Sequence, residues 1–208
     1  MSQTNTRLRT VLTLYSASDD VESHRVRMVL AAKGVSYDRL VVDANKLPSD
    51  LTELNPYGTL PTLVDRDLVL YDTGVMCEYI DERYPHPPLM PVDPLSRARL
   101  RLAMVRIEQE WLPLMDVIRA DGRPAETARK HLYAALLAAV PLFKVAKFFL
   151  STEVSLADCL VAPVVWRLSS LGINLPNEAK AIVDYGERIF RSQGFARSLT
   201  LEEKALRE

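Results

Sequence analysis

In the first part of the chain, short strand-like runs of apolar residues alternate with segments whose apolar residues have helical spacing. Strands are predicted over 11–15, over 37–42 and on both sides of the two-residue turn Arg66-Asp67. Helices are predicted over 23–32, 48–54 and 73–84, the first of them ended by Gly34. The resulting order βαβαββα combines a parallel βαβ unit with an antiparallel hairpin, which predicts a thioredoxin-like N-terminal domain.

A proline-rich segment follows this α/β region. Five prolines fall within the ten residues 85–94, which excludes both a regular helix and a central strand. We therefore predict an N-terminal domain over 1–86, a stiff extended linker over 87–96 and a second domain over 97–208.

The apolar pattern after the linker is helical. Helices are predicted over 96–118, 125–140, 156–171, 179–191 and 200–207. Pro113 is expected to kink or break the first of these late, and Pro141 to follow the end of the second. The helix that starts at Leu156 is apolar nearly all round, and Ser155 with Asp158 forms a variant of the capping box before it. We therefore predict an α/β plus all-α protein, with this helix at the centre of the all-helical domain.

Composition narrows the classes of function. The chain has 208 residues with a net charge of −1 and no long basic run, so direct sequence-specific nucleic-acid binding is not expected.

The cysteines, Cys77 and Cys159, lie in apolar helical patterns and are expected to be buried, reduced thiols. The three histidines have no nearby cysteine or histidine partner, so no metal site is expected. The longest apolar stretch contains a proline and is too short for a bilayer, which predicts a cytoplasmic protein without a membrane partner.

The segment from Asn55 to Thr73 carries the first functional signal. Pro61 stands where a strand needs an N–H group, and a cis Leu60–Pro61 bond would leave the backbone groups of Leu60 ready to pair with a short extended peptide. This segment resembles the N-terminal domain of glutathione transferases, in which the same proline orients the glutathione backbone. The resemblance implies the glutathione transferase fold, with glutathione-site positions at Leu60, Pro61, Asp72 and Thr73. A helix N-cap explains Asp72 equally well.

The resemblance also implies a side chain that ionises the bound thiol, at the end of the first strand or the start of the first helix. Aligned from residues 25–27, this position falls at or beside Asp20, whose carboxylate would raise the pKa of a thiol. Tyr15 and Ser16 remain as candidate donors, although a core aromatic and an ordinary turn residue explain them as well. We therefore expect no catalytic residue and no cofactor. The alternative is a glutathione-dependent transferase that uses Tyr15 or Ser16.

Pro85-His86-Pro87 is the second functional signal. By spacing alone it is either a stiff linker with an incidental histidine or a pre-ordered surface for a partner. Together with residues 84–91 and the 155–158 box, it makes the chain resemble the stringent starvation protein A family.

That resemblance implies a transferase-like fold without transferase activity and a role in transcription regulation during stress and stationary phase. It implies RNA polymerase holoenzyme as the partner, with Pro85, His86 and Pro87 as the partner-binding residues. The wider superfamily implies a homodimer, in which the helix over 73–84 and the long helix from Ser96 pack across a two-fold axis.

Overall fold

A four-stranded sheet forms the N-terminal layer of the protein, for which a computed structural model describes residues 9–207. The strands are β1 (Arg9–Ser16), β2 (Asp38–Val41), β3 (Thr62–Arg66) and β4 (Leu68–Leu70), in the spatial order β2-β1-β3-β4. β1 and β2 are parallel, whereas β1–β3 and β3–β4 are antiparallel. The predicted thioredoxin-like domain is confirmed. Residues 1–8 of the predicted N-terminal domain and residue 208 of the predicted second domain lie outside the described residues.

Three helices complete this domain: α1 (Val21–Lys33), α2 (Ser49–Leu54) and α3 (Thr73–Arg83). Asp20 is the N-cap of α1, and its Oδ1 accepts a hydrogen bond of 2.7 Å from the backbone N–H of Ser23. Gly34, whose φ is 64°, is the C-cap. The Leu60–Pro61 bond that precedes β3 is cis, as expected. The predicted order βαβαββα is therefore correct.

The C-terminal domain is all-helical, as predicted. Its helices are α4 (Pro94–Glu110), α5 (Leu112–Arg119), α6 (Ala125–Phe143), α7 (Leu156–Arg167), α8 (Lys180–Phe190), α9 (Gln193–Ser198) and α10 (Leu201–Ala205), with a 3₁₀ turn over Asn177–Ala179. α7 is buried along almost its whole length and packs against α1, α4 and α8. The prediction of a central buried helix is confirmed, and the capping box of Ser155 and Asp158 is present at its start.

Four details differ from the sequence predictions. α4 starts at Pro94 rather than Ser96, because the carboxylate of Asp93 caps the helix and proline fits its first position. Pro141 lies inside the last turn of α6, so the prediction that the helix ends before it was wrong. α7 ends at Arg167 rather than residue 171, and a turn leads from there to Gly172, whose φ is 74°. The short helix α9 was not predicted.

The break between α4 and α5 falls at Trp111, close to the predicted site at Pro113. Apolar side chains of both domains meet in one continuous core, in which α1 packs against α3, α7 and α9. Cys77 and Cys159 are buried and unpaired there, and burial raises the pKa of Cys77 to about 12. No helix within residues 9–207 combines the length and hydropathy needed to cross a bilayer.

Candidate functional site

The positions that correspond to a glutathione site lie around the loop between β1 and α1. The strand register pairs Tyr15 with Thr62, so Pro61, directly before β3, lies beside the end of β1. Thr73 opens α3 and lies near Glu22 in the first turn of α1. Asp72 caps α3, with its Oδ1 accepting from the N–H of Val75 at 2.9 Å. Asp72 therefore acts as a helix N-cap, which is the structural role expected from the sequence.

This region is acidic where a thiolate would need positive charge. Asp20 occupies the N-cap of α1, and Oδ2 of the same carboxylate is buried without a hydrogen-bond partner among residues 9–207. Burial raises the pKa of Glu22, and nearby Asp20 and Glu108 raise it further against the opposing effect of Arg25. A second anion placed beside these carboxylates would be disfavoured for the same electrostatic reason.

Both hydroxyls of the alternative catalytic hypothesis are buried and hydrogen-bonded. Tyr15 is 1% exposed, packs with Val42 and Leu51 on the α2 side of the sheet, and donates to Oδ2 of Asp50 at 2.7 Å. The Ser16 hydroxyl donates to the carbonyl of Ala17 at 2.9 Å and accepts from Nη1 of Arg27 at 2.5 Å. Each hydroxyl would have to leave these partners before it could hydrogen-bond a bound thiol.

The Ser16 contact belongs to a buried polar cluster between the domains. Arg27 of α1 and Arg167 of α7 both donate to Oε1 of Glu203 in α10, and all three side chains are buried. His24 accepts from Nη1 of Arg167 through Nδ1 at 3.0 Å and donates through Nε2 to Oγ of Ser198 at 2.9 Å, when its neutral tautomer carries the proton on Nε2. Burial, followed by the charges of Arg167 and Arg27, lowers the pKa of His24 well below its ordinary value, which favours this neutral form.

Pro85, His86 and Pro87, here called the Pro-His-Pro loop, are exposed at the end of α3. The His86–Pro87 bond is cis. A buried ion pair lies beneath the loop, in which Nζ of Lys33 is 2.5 Å from Oδ1 of Asp81. The same ammonium donates to the carbonyl of Pro87 at 2.5 Å, and Oδ1 of Asp81 accepts from the N–H of Leu89 at 2.8 Å. The ion pair therefore fixes the backbone on both sides of Pro88.

Lys33 and Asp81 were not identified from the sequence as parts of the site. The available signal was weak, because a lysine in the last turn of a helix before a C-cap glycine is ordinary helix chemistry. Their pairing depends on how α1 and α3 pack, and the two residues are 48 positions apart.

A groove of about 640 Å³ runs beside the Pro-His-Pro loop. Residues 87–92 form one wall, and α1, the segment 147–155 and the start of α9 form the others. Its apolar lining includes Met28, Leu89, Met90, Phe148 and Val154. The Pro-His-Pro loop and this groove therefore form one continuous surface at the junction of the two domains, since Pro87 belongs to both.

Comparison with known proteins agrees with the fold in both halves. Residues 22–83 match the family model for the glutathione S-transferase N-terminal domain, and residues 102–193 match the model for the glutathione S-transferase C-terminal domain. A solved Tau class glutathione S-transferase from mango, Mangifera indica, aligns with a TM-score of 0.81 over 95% of this chain and 96% of that chain. The identity to that protein is 22%, so this likeness shows the fold alone.

Two bacterial relatives match nearly the whole chain. A stringent starvation protein A homolog from Pasteurella multocida is 49% identical over 195 residues, which cover 92% of this chain and 91% of that protein. A stringent starvation protein A homolog from Coxiella burnetii is 48% identical over 203 residues, which cover 96% and 97%. The chain therefore belongs to the stringent starvation protein A family within the glutathione S-transferase superfamily.

Proposed function

We propose that this protein is a transcription regulator of the stress response that associates with RNA polymerase holoenzyme and does not conjugate glutathione. The observation that carries the proposal is the Pro-His-Pro loop, exposed to solvent and fixed from below by Lys33 and Asp81. A surface that is already ordered loses little conformational entropy when a partner binds. The name of the bacterial relatives supports the stress-related role.

A protein partner suits this surface better than DNA does. The net charge is −1, so there is no excess of cations to neutralise phosphates. The groove beside the loop has a mainly apolar lining and a volume of about 640 Å³, within the range that accepts anchoring side chains from a partner. We expect any effect on transcription to pass through contacts with the polymerase.

The positions at which a glutathione transferase would carry its catalytic side chain support the non-catalytic part of the proposal. Asp20 stands at the start of α1, and the Tyr15 and Ser16 hydroxyls are directed to Asp50 and Arg27. A glutathione-dependent transferase that uses Tyr15 or Ser16 is the alternative function. The observation in its favour is the position of Thr73 at the start of α3, near the first turn of α1, where the resemblance to glutathione transferases implies a glutathione-site residue.

A homodimer across α3 and α4 is part of the same proposal. The outer faces of these helices expose four large apolar side chains, Val75, Leu95, Leu102 and Val105. Arg101 of α4 bonds Glu78 of α3 through two parallel hydrogen bonds of 2.7 and 2.8 Å. Exposed apolar groups beside a rigid charged pair favour an interface with a polar rim.

The experiment that tests the function is a pull-down from stationary-phase lysate with the tagged full-length protein, read by quantitative mass spectrometry. We expect polymerase core subunits and sigma factor to be enriched together above a tag-only control. Absence of all polymerase subunits from the captured material would contradict the proposal. Retention on immobilised glutathione, with turnover of an aromatic electrophile, would favour the alternative.

A further inference from the structure

A small cavity at the meeting point of α5, α6 and α7 is lined by three arginines. Its volume is about 310 Å³, and its positive side chains are Arg119 at the end of α5, Arg129 of α6 and Arg167 at the end of α7. Asp19 is the one acidic residue among its described lining residues. None of the positions discussed above for glutathione or for the polymerase lines this cavity.

The three guanidinium groups retain donors that no described residue uses. Nε of Arg129 donates to the carbonyl of Leu171 at 3.0 Å, which orients the group, while its Nη2 has no hydrogen bond within residues 9–207. Within residues 9–207, Arg119 donates through Nη2 alone, to the backbone carbonyl and the carboxylate of Asp19. The side chain of Arg167 is 1% exposed, and its Nε is buried without a hydrogen-bond partner in the described part of the chain. Oδ1 of Asp19 is likewise buried without a hydrogen-bond partner among the described residues, so the lining holds unused donors from Arg129 and Arg167 beside one unused acceptor.

Two of the acidic partners of these arginines are each shared between two cations. The Asp19 carboxylate is shared between Nη2 of Arg119, at 2.8 Å, and Nη2 of Arg167, at 3.3 Å. Arg167 also bonds Glu203, but Arg27 bonds the same carboxylate oxygen. Three positive side chains thus line the cavity against one negative side chain.

Three further acids, Glu126, Asp116 and Asp20, lie near these arginines, and Asp20 is the least exposed of them. Glu126 is 3.6 Å from Nη1 of Arg129 with 66% of its side chain exposed, and Asp116 near Arg119 is also exposed. Solvent screens such charges strongly. The same screening acts on Arg119 and Arg129, whose side chains are each 32% exposed. Asp20 caps α1 through its carboxylate and accepts from Nη2 of Arg167 through its backbone carbonyl, and it does not line the cavity.

We propose that this cavity binds a small phosphate-bearing anion, and that Asp19 is an internal counter-ion with which the ligand competes. Guanidinium groups match phosphate oxygens in geometry and charge, and a tetrahedral dianion accepts hydrogen bonds from three directions at once. A volume of about 310 Å³ exceeds that of a bare phosphate group, and Ile118, Leu171 and Leu206 supply an apolar wall. The phosphate therefore belongs to a small organic molecule.

Isothermal titration calorimetry with inorganic phosphate in low-salt buffer tests the proposal on the full-length protein. We expect saturable binding that weakens at least about tenfold in Arg119→Met and in Arg129→Met, since each removes a charged donor. Lys130→Met is the matched control, because it removes the same charge from the same helix outside the cavity, and its affinity should equal that of wild type. Asp19→Asn removes the internal competitor and should tighten binding severalfold.

Circular dichroism of each variant verifies that the fold is retained. Three outcomes would overturn the proposal. One is the absence of saturable phosphate binding to the wild-type protein at concentrations up to about 10 mM, because a pre-formed site should bind phosphate more tightly than that. Another is an equal loss of affinity in Lys130→Met and Arg129→Met, which indicates general surface charge. The third is tighter binding of malonate than of phosphate, which indicates a dicarboxylate site instead.

Discussion

Nζ of Lys33 lies 2.5 Å from Oδ1 of Asp81, and this buried ion pair holds the backbone of Pro87 and Leu89 from the inside of the protein. The pair connects the end of α1 to the end of α3. The exposed Pro-His-Pro loop therefore has the rigidity of the core beneath it, although its own side chains bury little surface.

Breaking this pair should destabilise the protein more than any change in the loop itself. Lys33→Met leaves Asp81 as a buried carboxylate without its cation, at a cost of about 3–5 kcal/mol in the free energy of unfolding. Lys33→Met with Asp81→Asn removes the charge but keeps an oxygen for the N–H of Leu89, so the double variant should be more stable than the single one. Urea denaturation measures both values, and a double variant less stable than Lys33→Met would contradict this account of the loop.

The element order was predictable because each helix and strand is delimited by local signals. Gly34 adopts the left-handed conformation that a helix end requires, Pro61 directly precedes a strand, and Ser155 with Asp158 caps α7. The errors fell mainly at helix boundaries, which local signals define only to within a few residues. Pro141 cannot donate a backbone hydrogen bond to the preceding turn, and α6 nevertheless continues through it and ends two residues later, at Phe143.

The loop itself could be identified from the sequence, but not the residues that support it. Pairing between Lys33 and Asp81 depends on the packing of two helices, which the hydrophobic pattern of either helix does not encode. The same limit applies to Tyr15. Strand alternation shows that Leu14 and Tyr15 face opposite sides of the sheet, but only the structure shows Asp50 opposite the Tyr15 hydroxyl.

The wild-type protein should not conjugate glutathione to an aromatic electrophile above the uncatalysed rate, because carboxylates surround the start of α1. A spectrophotometric conjugation assay, with an active glutathione transferase as the positive control, measures this directly. Robust turnover that disappears in Tyr15→Phe or in Ser16→Ala would support the transferase alternative.

The protein should form a dimer at micromolar concentration. Leu102 is 64% exposed on α4, and Leu102→Glu would place a charge in the apolar part of the proposed interface. We expect this variant to shift towards monomer in sedimentation velocity. Val183→Glu is the control, since Val183 is exposed on α8, away from α3 and α4. A wild-type protein that sediments as a monomer would contradict the dimer.

Stability should fall as the pH drops below about 6.5, in part because of His24. The pKa of His24 is lowered in the folded protein, so below the ordinary pKa of about 6.5 the unfolded chain binds a proton that the folded protein does not. This favours unfolding by up to about 1.4 kcal/mol for each further pH unit. Urea denaturation between about pH 7.5 and pH 5.5 should show a steeper loss in wild type than in His24→Gln. Equal slopes in the two proteins would show that His24 is not the titrating group.

Binding to purified RNA polymerase holoenzyme, compared between wild type and the triple variant Pro85→Ala, His86→Ala and Pro87→Ala, tests the central claim most directly. Biolayer interferometry measures the affinity, circular dichroism verifies the fold, and Arg123→Ala with Pro124→Ala provides a control in another exposed turn. We expect wild type and the control to bind alike and the folded triple variant to lose association, while none of them shifts naked promoter DNA on a gel. Unchanged polymerase binding by the folded triple variant would contradict the account.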